Sequence, residues 1–408
     1  LGKIIQSGEI DFELPKARPL KLTLDSALQV ILDEELEQGR KNAKAKAAMA
    51  VMIDALSGEV LALGQAPAID FNRSKAVNKN DLRNLVSEAV FEPGSIMKPI
   101  VAAAAIDAGV VGSRDVFDCQ NGLLSFASHT IKDVHPYGML SFYDIVVRSS
   151  NIGMTKVGQR LGKQRLYDYL LAFGFGAPSG LDLPGDTSGL LRKVGGWAQV
   201  DVATHSFGQG VAVTPLQMVR AVSAVANGGI LPKLQLVRRD GASSQFGEGQ
   251  RIISRKAAEI AKEMMFGVVE DSHGTGRKAA VAGVRVGGKT GTAQKAKAGG
   301  RGYQPGAYIA SFVGFVDGAP LGVDRIFTLI VAIDEPNTGT IYGGALAAPV
   351  FQRIVQRSLH LLATEREIKG PEQPARDHFL LPDIQAPDYL KMASITESAV
   401  AKGAESEL

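Results

Sequence analysis

Strand-like segments lie toward both ends of the chain and helical segments fill its middle, an order that limits the folds available to it. Residues 49–53 and 60–63 are short apolar runs joined by Ser57-Gly58, which predicts a β-hairpin. Three more strands, apolar and separated by short loops, are predicted at residues 284–286, 308–316 and 326–333. Because strands from both ends can share one sheet with helices on its faces, we predict an α+β fold.

Helical spacing of apolar residues marks the middle of the chain and two flanking segments. Asp25 is the predicted N-cap of a first helix, which Arg40-Lys41-Asn42 ends and whose apolar positions are Leu24, Leu28, Ile31, Leu32 and Leu36. Further helical stretches are predicted at residues 96–108, 142–161, 215–226 and 347–362. The central ones form an all-helical subregion beside the predicted sheet.

Composition excludes several classes of protein. Hydrophobic residues make up 45% of the 408 residues, and the formal net charge is only +3, so neither a disordered chain nor a strongly basic nucleic-acid binder is expected. Cys119 is the single cysteine, so no intrachain disulfide can form. The histidines form no HExxH pattern, and neither a secretory signal nor an 18-residue apolar run is present. We therefore expect no metal, and no membrane span in the chain as given.

A Ser-x-x-Lys pair follows a predicted turn at Pro93-Gly94. Ser95 is placed at the start of a helix, where backbone N–H groups and the helix dipole can stabilise an oxyanion. Lys98 lies three residues on, so its side chain returns to the same helix face. A lysine with a lowered pKa can take the serine proton. Alone, the pair also fits a capping serine and a surface lysine.

A second polar motif, Ser149-Ser150-Asn151, lies in the helical region. Ser149 is a candidate for passing a proton between Lys98 and a leaving group, and Asn151 is a candidate for binding a substrate amide. The same residues also fit an ordinary polar loop or helix cap.

A third motif, Lys289-Thr290-Gly291-Thr292, follows two glycines on a predicted strand. Lys289, Thr290 and Thr292 are suited to holding a carboxylate, and Lys289 can also act electrostatically on Lys98. Glycines on this strand, including Gly291, are expected to let a substrate backbone approach. A glycine-rich strand end without a function is the alternative interpretation.

The order of the three motifs is far more specific than any one of them, and it is the set found in class A β-lactamases and penicillin-binding proteins. Over about residues 20–362 the chain closely resembles the transpeptidase domain of class B penicillin-binding proteins, most of all the septal, cell-division branch. A sporulation relative is nearly as similar, and the elongation branch less so. Further stretches that resemble the family are Glu92-Pro93-Gly94-Ser95, Ser206-Phe207-Gly208-Gln209-Gly210, Thr214-Pro215-Leu216-Gln217, Asp334-Glu335-Pro336, Tyr342-Gly343-Gly344 and Ala348-Pro349-Val350-Phe351.

The resemblance implies a β-lactamase-like fold, with a five-stranded antiparallel sheet flanked by helices. It implies a peptidoglycan D,D-transpeptidase in which Ser95 forms an acyl-enzyme with a stem peptide and expels D-Ala, probed by β-lactams that acylate the same serine. By position, Lys98 is the base, and the backbone N–H groups of Ser95 and Thr292 form the oxyanion hole. The remaining carried-over roles are proton transfer and substrate binding by Ser149, Asn151 and Lys289, and carboxylate binding by Lys289, Thr290, Gly291 and Thr292.

The resemblance also sets expectations for organisation and surroundings. Residues 1–45 are expected to be a linker or remnant of an N-terminal pedestal, 46–363 the transpeptidase domain, and 364–408 a C-terminal tail. The expected location is the bacterial cell envelope, on the extracytoplasmic face of the cytoplasmic membrane, with the family's membrane anchor absent from this chain. Expected partners are stem peptides, β-lactams, divisome proteins and a glycan polymerase, with no cofactor and no nucleic acid.

Two other classes share part of this evidence. A D,D-carboxypeptidase or serine β-lactamase carries the same motifs but needs a base that activates water, and no motif in the sequence points to one. A β-lactam sensor or a non-catalytic septal scaffold also remains open, although the intact motifs favour an enzyme. A Ser-His-Asp hydrolase is disfavoured, because Met97 stands where the G-x-S-x-G elbow requires glycine.

Overall fold

The computed structural model describes residues 20–69, 82–126, 129–181, 183–238, 248–297 and 302–369. Residues 1–19 of the predicted N-terminal linker and most of the predicted C-terminal tail lie outside these residues. The last described helix continues to Lys369, so it passes residue 364, where the sequence predicts the tail to begin.

The hairpin, the helices, the three later strands and the closing helix follow the order that the sequence predicts. The expectation of an all-helical middle is wrong, because six short strands between residues 116 and 251 pair there into three two-stranded sheets. The strands are β1 (Ala47–Asp54), β2 (Val60–Ala66), β3 (Val116–Asp118), β4 (Leu123–Phe126), β5 (His129–Lys132), β6 (Met139–Ser141), β7 (Ile230–Pro232), β8 (Gly249–Arg251), β9 (Val286–Ala296), β10 (Tyr303–Asp317) and β11 (Ile326–Asp334). The helices are α1 (Ser26–Asn42), α2 (Leu85–Glu88), α3 (Lys98–Asp107), α4 (Phe142–Val147), α5 (Asn151–Leu161), α6 (Lys163–Ala172), α7 (Gln199–Ser206), α8 (Pro215–Ala226), α9 (Arg255–Glu270) and α10 (Gly343–Lys369).

A five-stranded antiparallel sheet joins both ends of the chain, in the order β2-β1-β11-β10-β9. The predicted fold is therefore confirmed, including the hairpin of β1 and β2 and the return of three strands. In the register, Val331 on β11 lies opposite Ala50 on one side and Phe312 on the other, and Phe312 lies opposite Thr290. This order leaves β9, which carries the third motif, at one edge of the sheet.

Both faces of the sheet are buried, and alternate residues of each strand serve opposite faces. On β1, Val51 and Ile53 join the larger core with the helical subregion, whereas Ala50 and Met52 face a smaller core formed with α1 and α10. Asp25 caps α1 as predicted by accepting hydrogen bonds from two backbone N–H groups of its first turn. No helix in the described part of the chain combines the length and apolarity needed to cross a membrane.

The predicted helical stretch 142–161 is broken into α4 and α5 around Ser149, which corrects the expectation of one continuous element. Ser149 has φ +65°, a left-handed conformation that is rare for a residue with a side chain. The N-terminus of α5 is capped by the Ser150 hydroxyl, which accepts from the N–H of Gly153. The break therefore presents the second motif at the start of a new helix.

Candidate active site

An open cleft of about 1230 Å³ separates the helical subregion from the edge strand β9. It is lined by most of the residues singled out in the sequence, namely Ser95, Ser149, Asn151, Thr290, Gly291 and Thr292. Lys98 and Lys289 lie beneath this surface with no exposed area. The fold thus brings together all eight predicted site residues.

Ser95 stands on a tight turn at the start of the central helix. Gly94–Met97 form one turn of 3₁₀-helix that leads directly into α3, so the predicted helix-start position is confirmed. The N–H of Gly94 donates to the carbonyl of Gly208 at 2.9 Å. A Cβ at Gly208 would lie 2.1 Å from the Gly94 oxygen, so only glycine permits this contact. Among the described residues, the Ser95 hydroxyl has no hydrogen-bond partner and is therefore free to react.

Lys98 is the first residue of α3, a helix that is buried on every side from Lys98 to Ala105. Its Nζ donates to the Ser149 carbonyl at 2.6 Å, to Asn151 Oδ1 at 2.8 Å and to Ser149 Oγ at 3.1 Å. These bonds tie the first motif to the second across the floor of the cleft.

Ser149 bridges the two buried lysines. Its Oγ accepts from Lys289 Nζ at 2.9 Å while lying 3.1 Å from Lys98 Nζ. A hydroxyl that accepts from one amine keeps its own proton to donate to the other when that amine is neutral. The Ser149 hydroxyl therefore forms a short path for protons between Lys98 and Lys289.

Burial tunes both amines. Desolvation lowers the pKa of Lys98 to about 7, although the negative charge of Asp133 partly opposes this. Burial, followed by the positive charge of Lys98, holds the pKa of Lys289 well below the ordinary lysine value. Lys98 is therefore substantially neutral near pH 7 and able to accept a proton.

Asp133 supports the second motif and was not singled out in the sequence. Its carboxylate accepts from the Ser150 hydroxyl at 2.6 Å, from the N–H of Ile152 at 3.1 Å and from the N–H of Asn151. Asn151 is held from both ends, because its Nδ2 donates to the Lys132 carbonyl at 2.9 Å and its Oδ1 accepts from Lys98. No local pattern marks Asp133, since the contact depends on how the loop folds back.

The strand motif is held from behind by two further elements. Thr290 Oγ1 donates to Thr275 Oγ1 at 2.8 Å, and Thr292 Oγ1 accepts from the N–H of Gly343 at 3.3 Å. A Cβ at Gly343 would lie 2.1 Å from the Ser311 carbonyl oxygen, which explains the glycine after Tyr342.

Two glycines of β9 are required by internal packing. A Cβ at Gly288 would lie 2.3 Å from the ring of Phe312, and one at Gly291 would lie 2.5 Å from Ser311 Oγ. Both directions are filled by the protein itself. The part of β9 that faces the cleft is its unpaired edge at Thr290, Gly291 and Thr292.

The arrangement suits acyl transfer at Ser95. A free hydroxyl, a buried amine with its pKa near 7 and a bridging hydroxyl supply a nucleophile and a proton path. The described residues contain no group of three or more His, Cys, Asp or Glu side chains arranged to hold a metal ion.

The five-stranded sheet and its flanking helices place the three sequence motifs around one cleft. The chain belongs to the penicillin-binding protein transpeptidase domain family, whose profile matches residues 48–356. It is 36% identical over 341 residues to the probable peptidoglycan D,D-transpeptidase PenA of Neisseria gonorrhoeae, and 34% identical over 349 residues to the peptidoglycan D,D-transpeptidase FtsI of Escherichia coli K12. These alignments cover 84% and 86% of this chain, and 56% and 57% of the two relatives.

A sporulation protein and a solved structure are similarly related. The chain is 35% identical over 368 residues to stage V sporulation protein D of Bacillus subtilis, covering 88% of this chain and 56% of that protein. The apo transpeptidase domain of Burkholderia pseudomallei penicillin-binding protein 3 superposes with a TM-score of 0.73 at 36% identity, covering 84% of this chain and 96% of that domain. The resemblance to septal-type class B penicillin-binding proteins is thereby confirmed, and the chain spans a little over half the length of these curated relatives.

Proposed function

We propose that the protein is a peptidoglycan D,D-transpeptidase that cross-links stem peptides through an acyl-enzyme on Ser95. The observation that carries the proposal is the network in which the Ser149 hydroxyl joins Lys98 to Lys289 beneath the free Ser95 hydroxyl. The names of the two D,D-transpeptidase relatives support the same reaction.

In the acylation step, the Ser95 oxygen attacks the carbonyl carbon of the penultimate D-Ala, and the serine proton passes to neutral Lys98. The backbone N–H groups of Ser95 and Thr292 stabilise the oxyanion. The peptide C–N bond then breaks, and the departing D-Ala amine takes a proton by way of Ser149. Thr290 and Thr292 hold the terminal carboxylate, beside Lys289.

In the second step, an amine of a neighbouring strand attacks the ester carbonyl. The serine C–O bond breaks, the amine loses a proton to the Lys98–Ser149 path, and Ser95 regains its hydrogen. Hydrolysis instead would need a base beside the ester. Glu270 is the one carboxylate residue among the described residues that line the cleft, and Arg285 engages both its oxygens at 2.8 and 2.9 Å. Because Arg285 engages both oxygens, Glu270 is not free to activate water.

The proposal extends to the setting of the reaction. We place the protein at the bacterial cell envelope, on the extracytoplasmic face of the cytoplasmic membrane, in septal wall synthesis. Divisome proteins and a glycan polymerase are its proposed partners. Within the chain, the transpeptidase domain is proposed to span 46–363, between the N-terminal linker and the C-terminal tail.

Mass spectrometry after treatment with benzylpenicillin tests the proposal. We expect one penicilloyl adduct, mapped to Ser95, that persists for many minutes, and no adduct in the Ser95→Ala variant. With a D-Ala-D-Ala donor peptide and an amine acceptor, we expect the cross-linked product to exceed the hydrolysed one.

Other outcomes separate the alternatives. Release of penicilloic acid within seconds would indicate a β-lactamase, and release of D-Ala without any amine adduct would indicate a carboxypeptidase. A stable adduct with no peptide product at all would favour a sensor or scaffold. Labelling that survives Ser95→Ala would remove Ser95 from the site.

A further inference from the structure

Glu92 lies three residues before Ser95 and joins two distant parts of the chain, yet the acyl-transfer steps do not use it. Its Oε1 accepts from the N–H of Gly210 at 2.8 Å, and its Oε2 accepts from the hydroxyl of Tyr303 at 2.9 Å. Gly210 belongs to the loop after α7, whereas Tyr303 is the first residue of β10. One carboxylate therefore links that loop to the β9–β10 hairpin at the base of the nucleophile turn, residues 91–95.

The nucleophile turn is enclosed by the same two elements. On one side, Phe91 and Val213 exchange two backbone hydrogen bonds of 3.0 and 2.9 Å, and Gly94 donates to Gly208. On the other side, a Cβ at Gly94 would lie 3.5 Å from the Thr292 carbonyl oxygen, so the turn is in van der Waals contact with β9. The position of Ser95 relative to Thr292 thus depends on the spacing of the loop and β9.

Tyr303 connects Glu92 to that spacing. Tyr303 on β10 lies opposite Ala296 on β9, and β9 is also the strand that carries Thr292. Glu92 itself is not among the residues that line the cleft, and it immediately precedes the Pro93-Gly94 turn that carries Ser95. We therefore expect Glu92 to act on the reaction through the position of the nucleophile turn.

We propose that Glu92 is a positioning residue whose bonds to Gly210 and Tyr303 set the separation between the Ser95 and Thr292 backbones. The inference rests on the proposed function, because that separation matters if these two backbones form the oxyanion hole. Preorganised donors to the developing oxyanion stabilise the transition state of each chemical step and affect initial binding much less. The link should consequently affect both acylation and deacylation, with substrate binding unchanged.

The test compares conservative variants of the full chain with a chromogenic penicillin, resolving the binding constant, the acylation rate constant and the deacylation rate constant. Tyr303→Phe removes one hydroxyl and keeps the ring. We expect acylation and deacylation to slow by about 3- to 10-fold, the effect of losing one hydrogen bond to a carboxylate, with the binding constant unchanged. Tyr308→Phe is the matched control, because its hydroxyl bonds Gln294 at 3.3 Å within the same hairpin and does not reach Glu92.

Two variants of Glu92 complete the design. Glu92→Gln retains an acceptor for Gly210 and can donate to Tyr303 Oη, so we expect rates within about twofold of wild type. Glu92→Leu removes both bonds and should slow acylation and deacylation at least as much as Tyr303→Phe does. The rates are expressed per active site, and the active sites are counted by titration. The melting temperature of each variant separates misfolding from a kinetic effect.

Several results would overturn the inference. These are unchanged rate constants in Tyr303→Phe, equal losses in Tyr303→Phe and Tyr308→Phe, or a Glu92→Leu variant with a lower melting temperature and wild-type rates per active site. If the wild-type protein is acylated normally while Tyr303→Phe matches it, only the positioning role fails. If wild type and every variant resist acylation, the proposed function fails with it.

Discussion

The two walls of the cleft are built in different ways. The helical wall takes its reactive groups from the core, since Lys98 begins a helix buried on every side and bonds Ser149 and Asn151, which line the cleft. The strand wall presents Thr290 and Thr292 on an edge strand, held from behind by Thr275 and Gly343. Burial lowers the pKa of the lysine on each wall, Lys98 on the first and Lys289 on the second, but only the strand wall offers the hydroxyls of Thr290 and Thr292 to a ligand. We therefore expect damage to the helical wall to slow chemistry, and loss of a hydroxyl on the strand wall to weaken binding.

The largest effect is expected from Lys98→Arg. Arginine stays protonated at all working pH values and cannot accept the Ser95 proton. Loss of a general base costs about 10²–10⁴-fold, so acylation by penicillin should become hard to detect. Stopped-flow labelling with a fluorescent penicillin measures it, and Lys163→Arg, whose lysine bonds the Trp197 carbonyl at the surface of another helix, is the control. Normal acylation in Lys98→Arg would contradict the role of Lys98.

A smaller but still large effect is expected from Asp133→Ala. The variant removes acceptors for the Ser150 hydroxyl and for the N–H groups of Asn151 and Ile152. Losing two or more such bonds, each worth about 1 kcal/mol or more, should loosen the second motif and slow acylation by about 10- to 100-fold. The binding constant for penicillin should change little, because Asp133 does not contact the strand wall.

Asp118→Ala is the control for that variant, since Asp118 caps a nearby exposed turn by accepting from the N–H of Gln120 at 2.8 Å. If both variants lowered the acylation rate constant equally, the loss would reflect general sensitivity of this region to substitution. It would not support a role for Asp133 in positioning the second motif. If Asp133→Ala instead weakened penicillin binding and left the acylation rate constant normal, the proposed assignment of chemistry to the helical wall and binding to the strand wall would be wrong.

Features fixed by residues close together in the sequence were predictable, whereas those that depend on distant contacts, such as the role of Asp133, were not. The two apolar runs joined by Ser57-Gly58 and the N-cap at Asp25 are signals within a few residues, so the hairpin and α1 were predictable. The break at Ser149 was not, because it depends on a carboxylate 17 residues away from Ser150 folding back against the helix start. Glu92 and Tyr303 are 211 residues apart, and nothing in either local segment indicates the other.

The site residues were predictable for a different reason. Serine, lysine, asparagine and threonine in three short motifs carry the chemistry of the cleft whatever lies between them. Their supports are less specific in type: Thr275 and Gly343 contribute one hydroxyl and one N–H, groups that many residues possess. Recognising those supports required the spatial arrangement.

A moderate effect is expected from pH through Lys98 on the helical wall. Lys98 accepts the serine proton only when neutral, and its pKa is about 7. Acylation should therefore be half-maximal near pH 7, rise to a plateau above it, and fall about tenfold between the plateau and pH 6. Asp133→Asn should move the midpoint to lower pH, because the carboxylate raises the pKa of Lys98. An unchanged midpoint in Asp133→Asn would show that the charge of Asp133 does not affect the pKa of Lys98.

The smallest effect is expected from Thr290→Val on the strand wall. Valine keeps the shape of threonine but removes the hydroxyl proposed to hold the ligand carboxylate. One hydrogen bond in an open cleft contributes about 1 kcal/mol, so the binding constant for penicillin should weaken about fivefold while the acylation rate constant at saturation stays within twofold. Thr328→Val on β11 is the control, because its buried hydroxyl has no partner among the described residues and its removal should leave both constants unchanged. If Thr290→Val lowered only the acylation rate constant, Thr290 would act in the chemical step, and the two walls would not differ in function.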